Sequence, residues 1–138
     1  MGLGPKLPYM IPSRIPFGGF FSLLLSLNVH GEEILLGGPV LSELVARNNT
    51  GLEDEDGDAP DWIEVLNASS DSVDLEGWHL TDDPENLTRW TFPSITLAPQ
   101  EYLIVFASGK DRLSPADGLH TNFSLSGSGE YLALVSPD

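Results

Sequence analysis

From residue 40 onward the chain places apolar side chains at every second position in short runs, and Gly, Pro, Asn and Asp interrupt those runs at close intervals. The first run covers residues 40–46. In Trp62–Asn67, Ile63 and Val65 share one face, with Trp62, Glu64 and Leu66 on the other. Val73, Leu75, Trp78 and Leu80 then alternate with Asp74, Glu76, His79 and Thr81, and Gly77 between them permits a bend or bulge. Trp90 and Phe92 lie opposite Arg89 and Thr91; Pro93, lacking an N–H, ends that ladder, and Ile95 and Leu97 resume the alternation. Residues 102–107 are apolar on both faces, which predicts a central strand covered on both sides or one whose outer side is a contact surface. The last run, residues 131–135, follows the turn formed by residues 126–129. No segment carries a helical period, so the pattern predicts an all-β sandwich or barrel.

The first 31 residues read differently. Lys6 and Arg14 precede an apolar stretch over residues 17–29, and small residues stand at Val29 and Gly31. A basic start, a short apolar middle and small residues before a cut site are the layout of a secretory signal. We expect residues 1–31 to be that signal, cleaved after Gly31, with residues 32–39 a short linker and 40–138 the domain. The apolar run is about a dozen residues, short of the roughly 20 needed to span a bilayer. Pro5, Pro8, Pro12 and Pro16 keep the first 16 residues from forming a helix.

Charge sharpens this division. Residues 1–31 contain two bases and no acid, whereas residues 32–138 contain all 21 acids against four bases, a net charge of −17. Such a surface repels phosphates, so nucleic acid is disfavoured as a partner and cations or basic partners are the counterparts. The chain has no cysteine, which removes disulfides, thiolate metal sites and thiol catalysis.

The runs also carry a string of motifs: Leu41-Ser-Glu-Leu-Val-Ala46, Asp54-Glu-Asp-Gly-Asp58, Asp61-Trp-Ile-Glu-Val-Leu-Asn67, Val73-Asp-Leu-Glu-Gly-Trp-His-Leu-Thr-Asp82, Trp90-Thr-Phe-Pro93, Leu97-Ala-Pro-Gln-Glu-Tyr-Leu-Ile-Val-Phe-Ala-Ser108 and Leu119-His-Thr-Asn-Phe-Ser-Leu-Ser126. In order and spacing they resemble the lamin-tail domain of bacterial exported proteins, over about residues 40–138. The resemblance implies an immunoglobulin-like antiparallel β-sandwich, used as a binding or attachment unit and often one module of a longer chain. It supplies no catalytic residues. Two departures stand out. Gln100 follows Pro99 where the family more often has Gly, and the chain stops at Asp138 where the family usually adds further strand. The second implies a truncated sandwich with an exposed edge.

Candidate chemistry is sparse. Residues 53–58 and Asp61 crowd hard oxygen donors into one turn, as calcium prefers, and make Asp54, Asp56 and Asp58 candidate ligands of a weakly bound ion. They fail the EF-hand template, since aligning Asp56 and Gly57 with its fifth and sixth positions puts Leu52 and Ile63 at its first and twelfth. Asp82, Asp83 and Glu85 around Pro84 form a second acidic turn that suits a structural role. Ser128 lacks the first glycine of a nucleophile elbow, because Ser126 stands there. His30, His79 and His120 have no metal-ligand spacing and read as a leader residue, an outward strand residue and a loop residue, ordinary surface histidines.

Trp62, Trp78 and Trp90 fit core packing better than a sugar-stacking platform. The sequons at Asn48, Asn67, Asn86 and Asn122 read as turn and strand-end asparagines. No catalytic residue is therefore assigned. We expect a non-catalytic extracellular or cell-surface binding or scaffolding module with an unidentified protein or surface polymer as partner, presenting the Tyr102, Ile104, Phe106 face or the acidic loop. The alternatives are an accessory targeting domain of a larger secreted enzyme and a weak calcium-dependent carbohydrate binder. No cofactor is expected beyond that possible calcium ion.

Overall fold

The computed structural model describes residues 37–137, together with the backbone of three two-residue strands, β1 (Phe21–Ser22), β2 (Asn28–Val29) and β3 (Glu32–Glu33). Apart from the backbone of β1 and β2, the secretory signal expected over residues 1–31 lies outside the described residues, as do residues 34–36 of the linker. The remaining elements are β4 (Pro39–Val45), β5 (Trp62–Asn67), β6 (Val73–Asp74), β7 (His79–Thr81), β8 (Trp90–Thr91), β9 (Thr96–Leu97), β10 (Tyr102–Phe106), a single 3-10 turn η1 (Pro115–Asp117), β11 (Leu119–His120) and β12 (Ala133–Val135).

The architecture is an immunoglobulin-like β-sandwich. One sheet runs in the order β1-β4-β5-β10-β11 and the other β12-β7-β8, with β6 and β9 paired beside them. Pairing is antiparallel except between β10 and β11, where Val105 lies opposite Leu119 and Phe106 opposite His120. The alternation read from the sequence sets the two faces. Ile63, Val65, Leu80, Trp90, Leu97, Val105 and Leu134 form the core between the sheets, each almost wholly removed from water. The final run joins this core through Leu134, which pairs with Leu80.

Asn67 closes β5 and has no exposed surface. Its Nδ2 donates to the carbonyls of Asp71, Leu97 and Ala98 at 2.8, 3.0 and 3.1 Å, and its Oδ1 accepts from the backbone and hydroxyl of Ser69. One buried amide thus ties the turn after β5 to the end of β9 and satisfies three backbone carbonyls there.

The outer face of the larger sheet is built in rows by the register. Val40, Leu66 and Tyr102 form the first, Glu43, Glu64 and Ile104 the second, and Val45, Trp62, Phe106 and His120 the third. Central placement of β10 follows the expectation for residues 102–107, but the strand is covered unevenly. Phe106 lies beneath the ring of His120, whereas Tyr102 is 58% exposed.

Candidate functional site

The acidic loop folds on itself before it meets the rest of the chain. The Asp54 carboxylate accepts the N–H groups of Asp56 and Asp58, both at 3.0 Å, while the Asp54 N–H reaches the Asp58 carbonyl at 2.8 Å. Such side-chain-to-backbone bonding is the reason Asp nucleates turns. Gly57 takes the left-handed conformation, φ +80°, that closes the turn.

Three side chains from the β10–β11 region converge on this loop. Lys110 Nζ lies 2.5, 2.7 and 2.9 Å from carboxylate oxygens of Asp54, Asp56 and Asp58. Arg112 bonds Asp56 through Nη2 at 2.8 Å and Glu55 through Nη1. His120, fully buried on β11, donates from Nε2 to Glu55 at 2.9 Å. A carboxylate can only accept, so Nε2 carries a proton, while Nδ1 is hydrogen-bonded to the Ser108 hydroxyl at 2.8 Å. The ring stacks on Phe106, centroids 5.1 Å apart.

The electrostatics follow this geometry. Burial pushes Asp54 up, but the Lys110 ammonium and the two loop N–H groups outweigh it and hold its pKa below the usual value. Hydrogen bonds from Lys110 and Arg112 pull Asp56 down to about 2. Its own backbone N–H, His120 and Arg112 lower Glu55 against the opposing effect of burial. Lys110 and Arg112 are raised in turn by the carboxylates that surround them.

The arrangement therefore holds the acidic loop against the sheet. Asp54, Asp56 and Asp58 do come together with oxygens close enough to share one ion, as the sequence suggested. The position at the centre of those oxygens belongs to the ammonium of Lys110, so calcium must displace a tethered cation before it can bind. A second grouping, Asp54, Glu55 and His120, is likewise tied up, since His120 presents a protonated nitrogen rather than a lone pair to Glu55.

Ser108, His120 and Glu55 also have the hydrogen-bond spacing of a nucleophile, base and orienting acid. The surrounding donors do not support that chemistry. Gly109 N–H bonds the Phe123 carbonyl, Asp111 N–H bonds the Thr121 carbonyl, and Lys110 N–H is spent on the Ser108 oxygen itself. Backbone N–H groups committed in this way cannot stabilise an oxyanion. An open groove of about 460 Å³ is lined by Glu55, Asp56, Arg112, Leu113, Ser114 and Asp117, and Ser108 does not line it.

Comparison with protein families matches residues 38–138 to the model of the Lamin Tail Domain. The chain belongs to the lamin tail domain family. No curated protein and no solved structure matches it. The domain family is a non-catalytic immunoglobulin-like one, consistent with a network that positions a loop.

Several sequence expectations need correction in this lamin tail domain. His120 is a buried strand residue at the centre of the network, whereas the sequence placed it in an exposed loop. Local context misled because its partner, Glu55, is 65 residues away. Trp90 is in the core and Trp78 packs against it, but Trp62 is half-buried in the outermost row of the opposite face. The sequence reading misses Lys110 and Arg112. A usable signal existed: they are two of only four bases after residue 31, two positions apart and just before His120.

The second acidic turn has the expected local bonding, though centred on Asp83, whose carboxylate accepts Glu85 N–H at 2.9 Å. Asp82 instead pairs with Arg89 at 2.7 Å. Of the sequon asparagines, Asn48 bonds the carbonyls of Leu52 and Pro60, and Asn122 bonds that of Arg89.

Proposed function

We propose that this lamin tail domain acts outside the cell or at its surface as a binding or scaffolding module, with the outer face of the larger sheet as its contact surface. The observation that carries this reading is Tyr102. At 58% exposure it is the most open of the large apolar side chains among the described residues, and it shares a row with half-buried Leu66 and Val40, one row from half-buried Ile104. Aromatic and aliphatic side chains grouped on one face characterise recognition surfaces. The acidic loop is the weaker candidate surface, because its carboxylates are already engaged by Lys110 and Arg112.

Fluorescently labelled full-length chain, titrated onto isolated envelope material of the producing cell, tests the reading. Saturable retention without turnover of nitrophenyl esters, phosphates or glycosides is the expected result. Turnover of any of these, at a rate proportional to protein, would refute a purely binding role.

A further inference from the structure

Resting on that reading, we propose that the same face takes a partner segment of a particular chemistry: an extended peptide with a Lys or Arg flanked at alternate positions by apolar residues, laid along β5. The rows described above set this pattern. Successive rows are two residues apart along a strand, about 6.5–7 Å. Read along the sheet they present Val40, Leu66 and Tyr102, then Glu43 and Glu64 beside Ile104, then Val45 and Trp62. An extended peptide has the same two-residue repeat, so apolar, basic and apolar side chains on one of its faces meet the three rows in turn.

The middle row supplies the decisive observation. Glu43 and Glu64 are directly opposite one another on antiparallel strands, an arrangement of like charges that costs stability. The bulge between Leu41 and Glu43 brings Ser42 alongside, and its hydroxyl donates to Glu64 Oε1 at 2.7 Å. One hydroxyl orients a carboxylate without neutralising the pair. Among the described residues, Arg89 is committed to Asp82, and Lys110 and Arg112 to the acidic loop. A cation from outside that lies between Glu43 and Glu64 relieves their repulsion, while the apolar rows on either side gain burial.

A second copy of this chain is the wrong occupant. It would bring its own Glu43 and Glu64 to the same stripe, on a domain carrying −17 overall.

The test is an NMR titration of uniformly labelled full-length chain at low salt with two end-capped heptapeptides, Ser-Val-Thr-Lys-Thr-Val-Ser and the same peptide with Glu replacing Lys. We expect the lysine peptide to bind at least tenfold more tightly and to shift the amides of Glu43, Glu64, Tyr102 and Ile104. Glu43→Gln combined with Glu64→Gln should abolish that preference while leaving the spectrum folded, since the amide oxygen introduced by Glu64→Gln can still accept the Ser42 hydroxyl. Equal affinity for the two peptides, no binding, shifts confined to residues 53–58, or concentration-dependent dimerisation through this face would each overturn the proposal. If envelope retention persists without turnover while the peptides fail, the module reading stands and only this partner class falls.

Discussion

Lys110 decides the character of the acidic loop. A point charge with three donors, held by three carboxylates, takes the role that a bound ion would otherwise fill. Calorimetry with calcium is therefore expected to give equal heats for the parent chain and for Asp54→Asn with Asp56→Asn. Lys110→Gln, which removes the resident charge, should create a calcium-dependent heat. A calcium heat in the parent that the double substitution removes would contradict this. Gly118 is equally restricted. It adopts φ 79°, ψ 144°, and a Cβ there would lie 2.7 Å from the Glu55 carboxylate. Gly118→Ala should cost about 1–3 kcal/mol in denaturant unfolding, from backbone strain alone. Gln100 sits at φ 62°, where the family more often has glycine, so the departure noticed in the sequence is accommodated by a strained non-glycine turn.

At the scale of elements, strands were legible where alternation is local. Ile63 and Val65 against Glu64 and Leu66 specify both the strand and its buried face, because each side chain's direction is set by its neighbours in sequence. The lashing of the 53–58 loop to β11 was not legible, because it depends on contacts spanning 52 to 65 residues. Its pH dependence follows from the shifts. Asp54 and Asp56 titrate below their unfolded value of 3.8, so their contribution is complete above that pH and is lost as pH falls through the folded values, about 2 for Asp56. Lys110 is raised above 10.5, so its contribution is present below that pH and is lost only as pH rises past the raised value. Thermal melts followed by circular dichroism should therefore fall steeply between about pH 4 and pH 2. Lys110→Gln should flatten that limb; an unchanged acid limb would mean the loop is held by something else.

At the scale of the whole molecule, two sheets close over an apolar core, the polar side chains around Ser108 and His120 are used in holding a loop, and one sheet face keeps half-buried apolar rows with Tyr102 exposed among them. The fold class was readable from periodicity and from the order of motifs, since both survive without knowledge of which strands pair. The proposed contact face is only partly readable: the alternation points to Tyr102 and Ile104, but Phe106 proves to be covered by His120, and the Glu43–Glu64 opposition appears only with the register. The central claim is that this domain works through that face and not through a reaction centre. Envelope retention of Tyr102→Ser measured beside Ser108→Ala tests it most directly. The account predicts at least a tenfold loss of affinity for Tyr102→Ser and no change for Ser108→Ala; loss with Ser108→Ala and full retention with Tyr102→Ser would contradict it.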